Sequence, residues 1–195
     1  MWLLKNRSRG FYLCLVLLLI LTIGGTAIAY ADSGTATVPV KPGSLSKSNA
    51  NQVSLNVQRS KKDRLVSYTL PVMVTDARGS GGGWYLAITS TTFQLTGNDK
   101  DSKKDQLPTN ASSITGVSVS CGTHSTCTNA VNTISYPLVV PAGSTPAPPV
   151  KFFNASLRSG LGKFLLTMMV QVSVPTSKES GTYTSTIILT IANGP

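Results

Sequence analysis

Residues 163–174 read Lys-Phe-Leu-Leu-Thr-Met-Met-Val-Gln-Val-Ser-Val. Phe164, Leu166, Met168, Val170, Val172 and Val174 fall two apart, with Leu165, Thr167, Met169, Gln171 and Ser173 between them. A period of two puts the first set on one face of an extended chain, whereas a helix would scatter it around its axis. The end of the chain repeats the pattern. Tyr183, Ile187, Leu189 and Ile191 alternate with Thr184, Thr186, Ile188 and Thr190. Upstream, Tyr68, Leu70, Val72 and Val74 share one parity, and so do Trp84, Leu86 and Ile88, on a strand that runs on toward Phe93 and Leu95. Pro71 has the opposite parity to its apolar neighbours and points to an edge or a bulge. Ile114–Ser120 and Thr133–Val140 read as two further short strands. Eight or so strands joined by polar turns predict an all-β fold: one antiparallel β-sandwich or barrel-like domain over residues 53–195.

Composition agrees. Of 195 residues only 12% are charged, against roughly a quarter in an average soluble domain. The surface is polar by other means, because 24 Ser and 23 Thr are present. Thr and Val favour extended chain, and Glu, a good helix former, occurs only at Glu179. A helix bundle and a charged disordered chain are both excluded. Asp76 to Gly83 is a turn by composition, Asn98 to Asp105 a charged loop, and Pro141 to Pro149, with four prolines, a connector. Asn154 to Gly162 has room for one short helical turn.

The first 31 residues stand apart. Lys5, Arg7 and Arg9 precede an apolar run from Phe11 to Ile23, and Ala29-Tyr30-Ala31 offers a small-x-small cleavage site. This reads as a cleaved signal peptide, because a membrane span needs about 20 apolar residues. An uncleaved anchor is the alternative. On the signal-peptide reading, the membrane is met only during export. Residues 32–52 are rich in Ser, Thr, Gly and Asn and read as a flexible lead-in. Removing Lys5, Arg7 and Arg9 from 17 basic residues leaves 14 against 7 acidic ones, a net of +7. That balance suits an anionic polymer, but without a basic stripe interleaved with aromatics it does not suit nucleic acid.

In an oxidising compartment Cys121 and Cys127, six apart, read as a disulfide that clips a loop tip. A metal site would need ligands beyond these two thiols and His124, and none is near in sequence, so no metal and no cofactor is expected. No serine sits in a nucleophile elbow and no carboxylate pair flanks a cleft, so no catalytic residue is assigned. Asp99, Asp101 and Asp105 have a calcium-loop spacing, but Lys100, Lys103 and Lys104 among them would repel a cation. Asn110-Ala111-Ser112 and Asn154-Ala155-Ser156 match the N-glycosylation pattern.

The most informative segment is Asp76-Ala77-Arg78-Gly79-Ser80-Gly81-Gly82-Gly83-Trp84-Tyr85-Leu86. It resembles the first signature of the WxL domain, in which Asp-x-Arg-Gly and a few small residues lead into Gly-Trp-x-Leu. Lys151-Phe152-Phe153-Asn154-Ala155 with Gly160-Leu161-Gly162-Lys163-Phe164 resembles the family's middle element. Val174-Pro175 and Gly181 to Ile187 resemble the approach to its C-terminal signature. One departure stands out: Leu189 occupies the place of the family's second tryptophan. Its parity with Ile187 and Ile191 makes it apolar and buried. Trp84, level with Leu86 and Ile88, is likewise read as core before platform, and Asp76 with Arg78 as the cluster that fixes the turn. If the signature instead contacts a ligand, its binding residues are Asp76, Arg78, Trp84 and Leu86.

The resemblance implies a secreted module displayed on the bacterial cell surface. It would bind the wall non-covalently through peptidoglycan or an anionic wall polymer, without enzyme activity. The rival expectation is an assembly protein whose sheet edges pair with another surface protein or with a second copy.

Overall fold

The alternation of residues 163–174 is realised in a strand that carries both sheets' shared core on one face and solvent on the other. The computed structural model describes residues 42–48, 52–58, 61–96 and 106–195. The expected signal peptide, most of the lead-in and the loop carrying Asp99, Asp101 and Asp105 lie outside the described residues. The chain divides into Met1–Val40, outside them, and one unit, Lys41–Pro195.

Among the described residues eleven strands follow in order: β1 Leu45–Lys47, β2 Gln52–Val57, β3 Arg64–Asp76, β4 Trp84–Thr91, β5 Gln94–Leu95, β6 Ser112–Cys121, β7 Leu138–Val139, β8 Ala142–Gly143, β9 Val150–Ala155, β10 Gly162–Val174 and β11 Gly181–Asn193. One sheet runs β1-β3-β10-β6-β7; the other runs β2-β11-β4-β8, with β5 also on β11 and β9 also on β4. Every pairing is antiparallel except the short one between β4 and β8. No helix occurs among the described residues, and the fold is all-β as the sequence predicts. Of the two forms left open there, sandwich or barrel, it is sandwich-like.

Both sheets turn their apolar parity inward to one cluster. From β10 it takes Phe164, Leu166, Met168, Val170, Val172 and Val174, and from the opposite sheet Leu55, Trp84, Leu86, Ile88, Tyr183, Ile187 and Leu189. Each large side chain so buried contributes about 1.5–3 kcal/mol. Leu189, in place of a tryptophan, is buried opposite Ile88 as its parity requires.

Bulges adjust this pattern. Leu86 pairs with Phe153 but Ala87 with Lys151, so Phe152 is an extra residue on β9. The slip lets Phe152 and Phe153, adjacent in sequence, both face the core. Among the described residues Pro71 sits where β3 is an edge. Met73 and Ala77 bond toward β1, so Pro71, of the same parity, turns its missing N–H to the side away from β10. Cys121 and Cys127 are joined by a disulfide, Cα to Cα 5.7 Å.

Some expectations are corrected. Thr133–Val140 is not one strand: only Leu138–Val139 pairs, on β6. Its alternation is real, but Thr133 N–H donates to the Asn154 side chain and Ile134 N–H to the Asn132 side chain instead of to a neighbouring strand. Residues 154–162 hold no helical turn, since β9 runs to Ala155 and the chain then turns on Ser156 to Gly160. The proline connector contains β8, whose carbonyl neighbours Pro141 and Ala147 accept from the buried Thr89 hydroxyl of β4. Leu45–Lys47, inside the expected lead-in, is a strand paired with Val74–Asp76.

The two faces of β10 yield a test. Leu166 is buried and its neighbour Leu165 is 37% exposed. Leu166→Ala should cost about 2–5 kcal/mol in denaturant unfolding, and Leu165→Ala about 0.5 kcal/mol. Equal losses would refute the assignment of faces.

Candidate functional site

The segment between β3 and β4 must reverse direction while delivering Trp84 to the core. Gly79, Gly81 and Gly83 all have positive φ. At Gly83 a Cβ would also lie 2.6 Å from the Ala155 carbonyl oxygen, so this turn closes only on glycine.

Asp76 and Arg78 hold it shut. Arg78 Nε donates to Asp76 Oδ1 at 2.9 Å and Nη2 to Asp76 Oδ2 at 2.8 Å, a bidentate pair. Nη2 also donates to the Gly83 carbonyl at 2.8 Å, and Nη1 to Asn193 Oδ1 at 2.7 Å. One guanidinium thus ties the end of β3, the glycine turn and the end of β11. Asp76 is 2% exposed. The hydrogen bond from Arg78 is the main cause that holds its carboxyl below the usual range, and it outweighs the opposing effect of burial.

Trp84 is fully buried, as is Leu86. The indole Nε1–H donates to the Gly160 carbonyl at 2.9 Å. Its ring packs on Phe153 of its own sheet and on Phe164 of the facing one, with centroids 5.6 and 6.2 Å apart. Gly160 has a φ of +70°, and a Cβ there would meet the indole Nε1 at 2.8 Å. The first two sequence signatures are one structure: the first supplies the tryptophan and the middle its acceptor and ring partners, while Arg78 grips Asn193 at the end of β11.

Trp84 and Leu86 present no surface, which favours reading them as core. Asp76 is spent on Arg78, and Arg78 itself is a clamp between strands. The arrangement does the chemistry of a rivet.

Other sequence candidates are placed as follows. His124 is exposed at the tip of the disulfide loop. Among the described residues no three His, Cys, Asp or Glu converge to hold a metal. Asn154 is buried, its Oδ1 accepting from the Thr133 N–H at 2.8 Å, so in the folded chain it is closed to a glycan, while Asn110 lies exposed in a turn. Sequence reading missed Asn132, which bonds Asn154, Ile134 and Tyr136 and braces the irregular segment before β7. It also missed a hydroxyl-lined cleft where β4 passes into β5. An Asn between two apparent strands and a Thr-Thr pair inside one were the signals available.

The buried pair gives a pH dependence whose sign depends on Arg78. With Asp76 held low, its contribution is present above the unfolded carboxylate pKa, about 3.9, and is lost as pH falls through the folded value. Arg78→Ala leaves the carboxylate buried and unpaired, at a cost of roughly 3 kcal/mol. Desolvation then raises the Asp76 pKa, so the variant should become more stable as pH falls from 7 toward 5. Urea melts followed by the emission of Trp84 test this, and a wild-type-like pH slope in the variant would sink it.

Comparison with known proteins fits this geometry. Neither curated proteins nor solved structures show a match. The family model described as "WxL domain surface cell wall-binding" matches residues 34–195, which takes in every signature segment assembled around Trp84. The chain belongs to the WxL family of surface domains that bind the cell wall.

Proposed function

We propose that this domain, exported by a signal peptide over residues 1–31, holds peptidoglycan non-covalently on the cell surface and performs no catalysis. The observation that carries the reading is the match to the wall-binding family across 34–195. Since the signature is consumed in building the fold, the ligand must meet the outer surface. That surface is basic. Among the described residues Lys61, Lys62, Arg64, Lys151, Arg158 and Lys163 are exposed, against the acids Asp63 and Glu179. Anionic wall polymers would be drawn to it, and a more selective contact would have to retain the wall.

One observation favours a second reading, assembly with another surface protein. Along Arg64–Val72 the side of β3 away from β10 carries no strand among the described residues, and Leu65 beside it is 64% exposed. An edge of this kind accepts an added strand.

Pull-down on purified sacculi, with and without their anionic polymers, across a salt series, separates these. Exposed charges are screened over about 10 Å at 0.1 M salt and about 3 Å at 1 M. Partial elution at high salt, with a fraction retained on stripped sacculi, is expected. Complete release at moderate salt with no binding to stripped sacculi would leave only charge attraction and end the peptidoglycan reading. Retention only with a second secreted protein would replace it with assembly.

A further inference from the structure

The last residue pair between β4 and β11 is Ser90 with Ile187, and β5 resumes the ladder at Gln94 with Thr184. Four steps on one strand face three on the other, so one residue of 91–93 is in excess, a bulge. Substitute bonds hold it open. Thr91 Oγ1 accepts from the Thr186 N–H at 2.9 Å, the Thr91 carbonyl accepts from the Ser185 hydroxyl at 2.7 Å, and Thr92 N–H donates to the Gly143 carbonyl at 3.2 Å.

The result is a cleft of about 290 Å³ whose lining includes Gln52, Thr91, Thr92, Gln94, Thr184 and Thr186, together with Ser144 and Ser185. Every lining side chain among the described residues is a hydroxyl or a carboxamide. Those of Gln52, Gln94, Thr184 and Thr186 donate to and accept from no side chain or backbone group among the described residues. Thr92 is 5% exposed, and its Oγ1 is a buried side-chain oxygen left without a hydrogen-bond partner there. Buried hydroxyls are normally satisfied, and an unsatisfied one in a cleft wall asks for a reason.

We propose that this cleft is a subsite for an uncharged glycan unit bearing an N-acetyl group, an assignment that rests on the wall-binding reading and narrows it. Among the described residues no cation lines the cleft, so phosphate and carboxylate find no counter-charge in those walls. Among the described residues no aliphatic or aromatic side chain lines it, so a wholly apolar ligand gains little by entering. Threonine hydroxyls both donate and accept, as sugar hydroxyls do, and a glutamine carboxamide offers a donor and an acceptor side by side to another amide. The volume lies at the small end of ligand cavities, about 300 Å³, which admits one ring and leaves the rest of a chain outside.

The test is an amide chemical-shift titration of the secreted protein with chitotetraose, with cellotetraose as the partner lacking N-acetyl groups, and with a wall stem tetrapeptide. Chitotetraose should shift Thr91–Gln94 and Thr184–Thr186, and cellotetraose should bind roughly tenfold more weakly. The double variant T184V/T186V, isosteric and on the outer face, should lose roughly tenfold in affinity for chitotetraose with an unchanged melting temperature. If that variant fails to fold, Gln94→Leu gives the same reading. Absent shifts at these amides, equal binding of cellotetraose, or shifts there from the peptide alone would overturn the assignment. Sacculi pull-down on the same samples keeps the two ideas apart. Wild type retained on stripped sacculi but silent to chitotetraose overturns the cleft alone; wild type not retained overturns the wall reading itself.

Discussion

The clamp of Arg78 on Asp76 is the constraint on which the rest of the fold leans. A carboxylate buried at the end of β3 is tolerable only beside a cation, and this cation also closes the glycine turn and grips Asn193 at the far end of the chain. It thereby fixes where β4 begins, and so where Trp84 enters the core. Trp84 in turn joins the sheets, because its ring touches Phe153 and Phe164 on opposite layers while its N–H reaches Gly160. Removing one partner of such a pair costs more than the pair contributes, since the other is left charged and buried.

A signature of this kind marks architecture. Trp84 and Leu86 have no exposed surface, so in this chain the signature builds the core. Leu189 makes the same point from the other side. Leucine can stand where the family has tryptophan because the position is a core slot opposite Ile88.

Much of the sandwich was legible because period-two alternation reports burial directly. β10 shows it most plainly, with each residue of the Phe164–Val174 parity buried. The rest was hidden where alternation and pairing part company. Residues 133–137 alternate, yet Asn154 and Asn132 take the backbone N–H groups of Thr133 and Ile134, and no local pattern reveals a partner 21 residues away. Phe152 and Phe153 break alternation through a bulge that only the pairing with β4 defines. At the site, the turn role of Asp76 and Arg78 was legible from spacing, because a carboxylate two residues before an arginine in a glycine turn can reach it. Asn193, 115 residues on, could be found only by folding the chain.

The division of labour between surface charge and cleft follows from what each can discriminate. Exposed lysines and arginines accelerate and bias encounter with any anionic polymer, but they are screened by salt and do not tell one polymer from another. A cleft lined by hydroxyls and carboxamides gains little from long-range attraction. It rejects a misfit, because every donor or acceptor left unpaired on entry costs about what a hydrogen bond contributes. The bulge between β4 and β5 is what permits such a lining here. A regular ladder through Thr91–Phe93 would pair the backbone groups at that point. With one residue in excess, Thr91 bonds β11 through its side chain, and the outward hydroxyls of Thr184 and Thr186 stand beside Gln52 and Gln94 at the same opening.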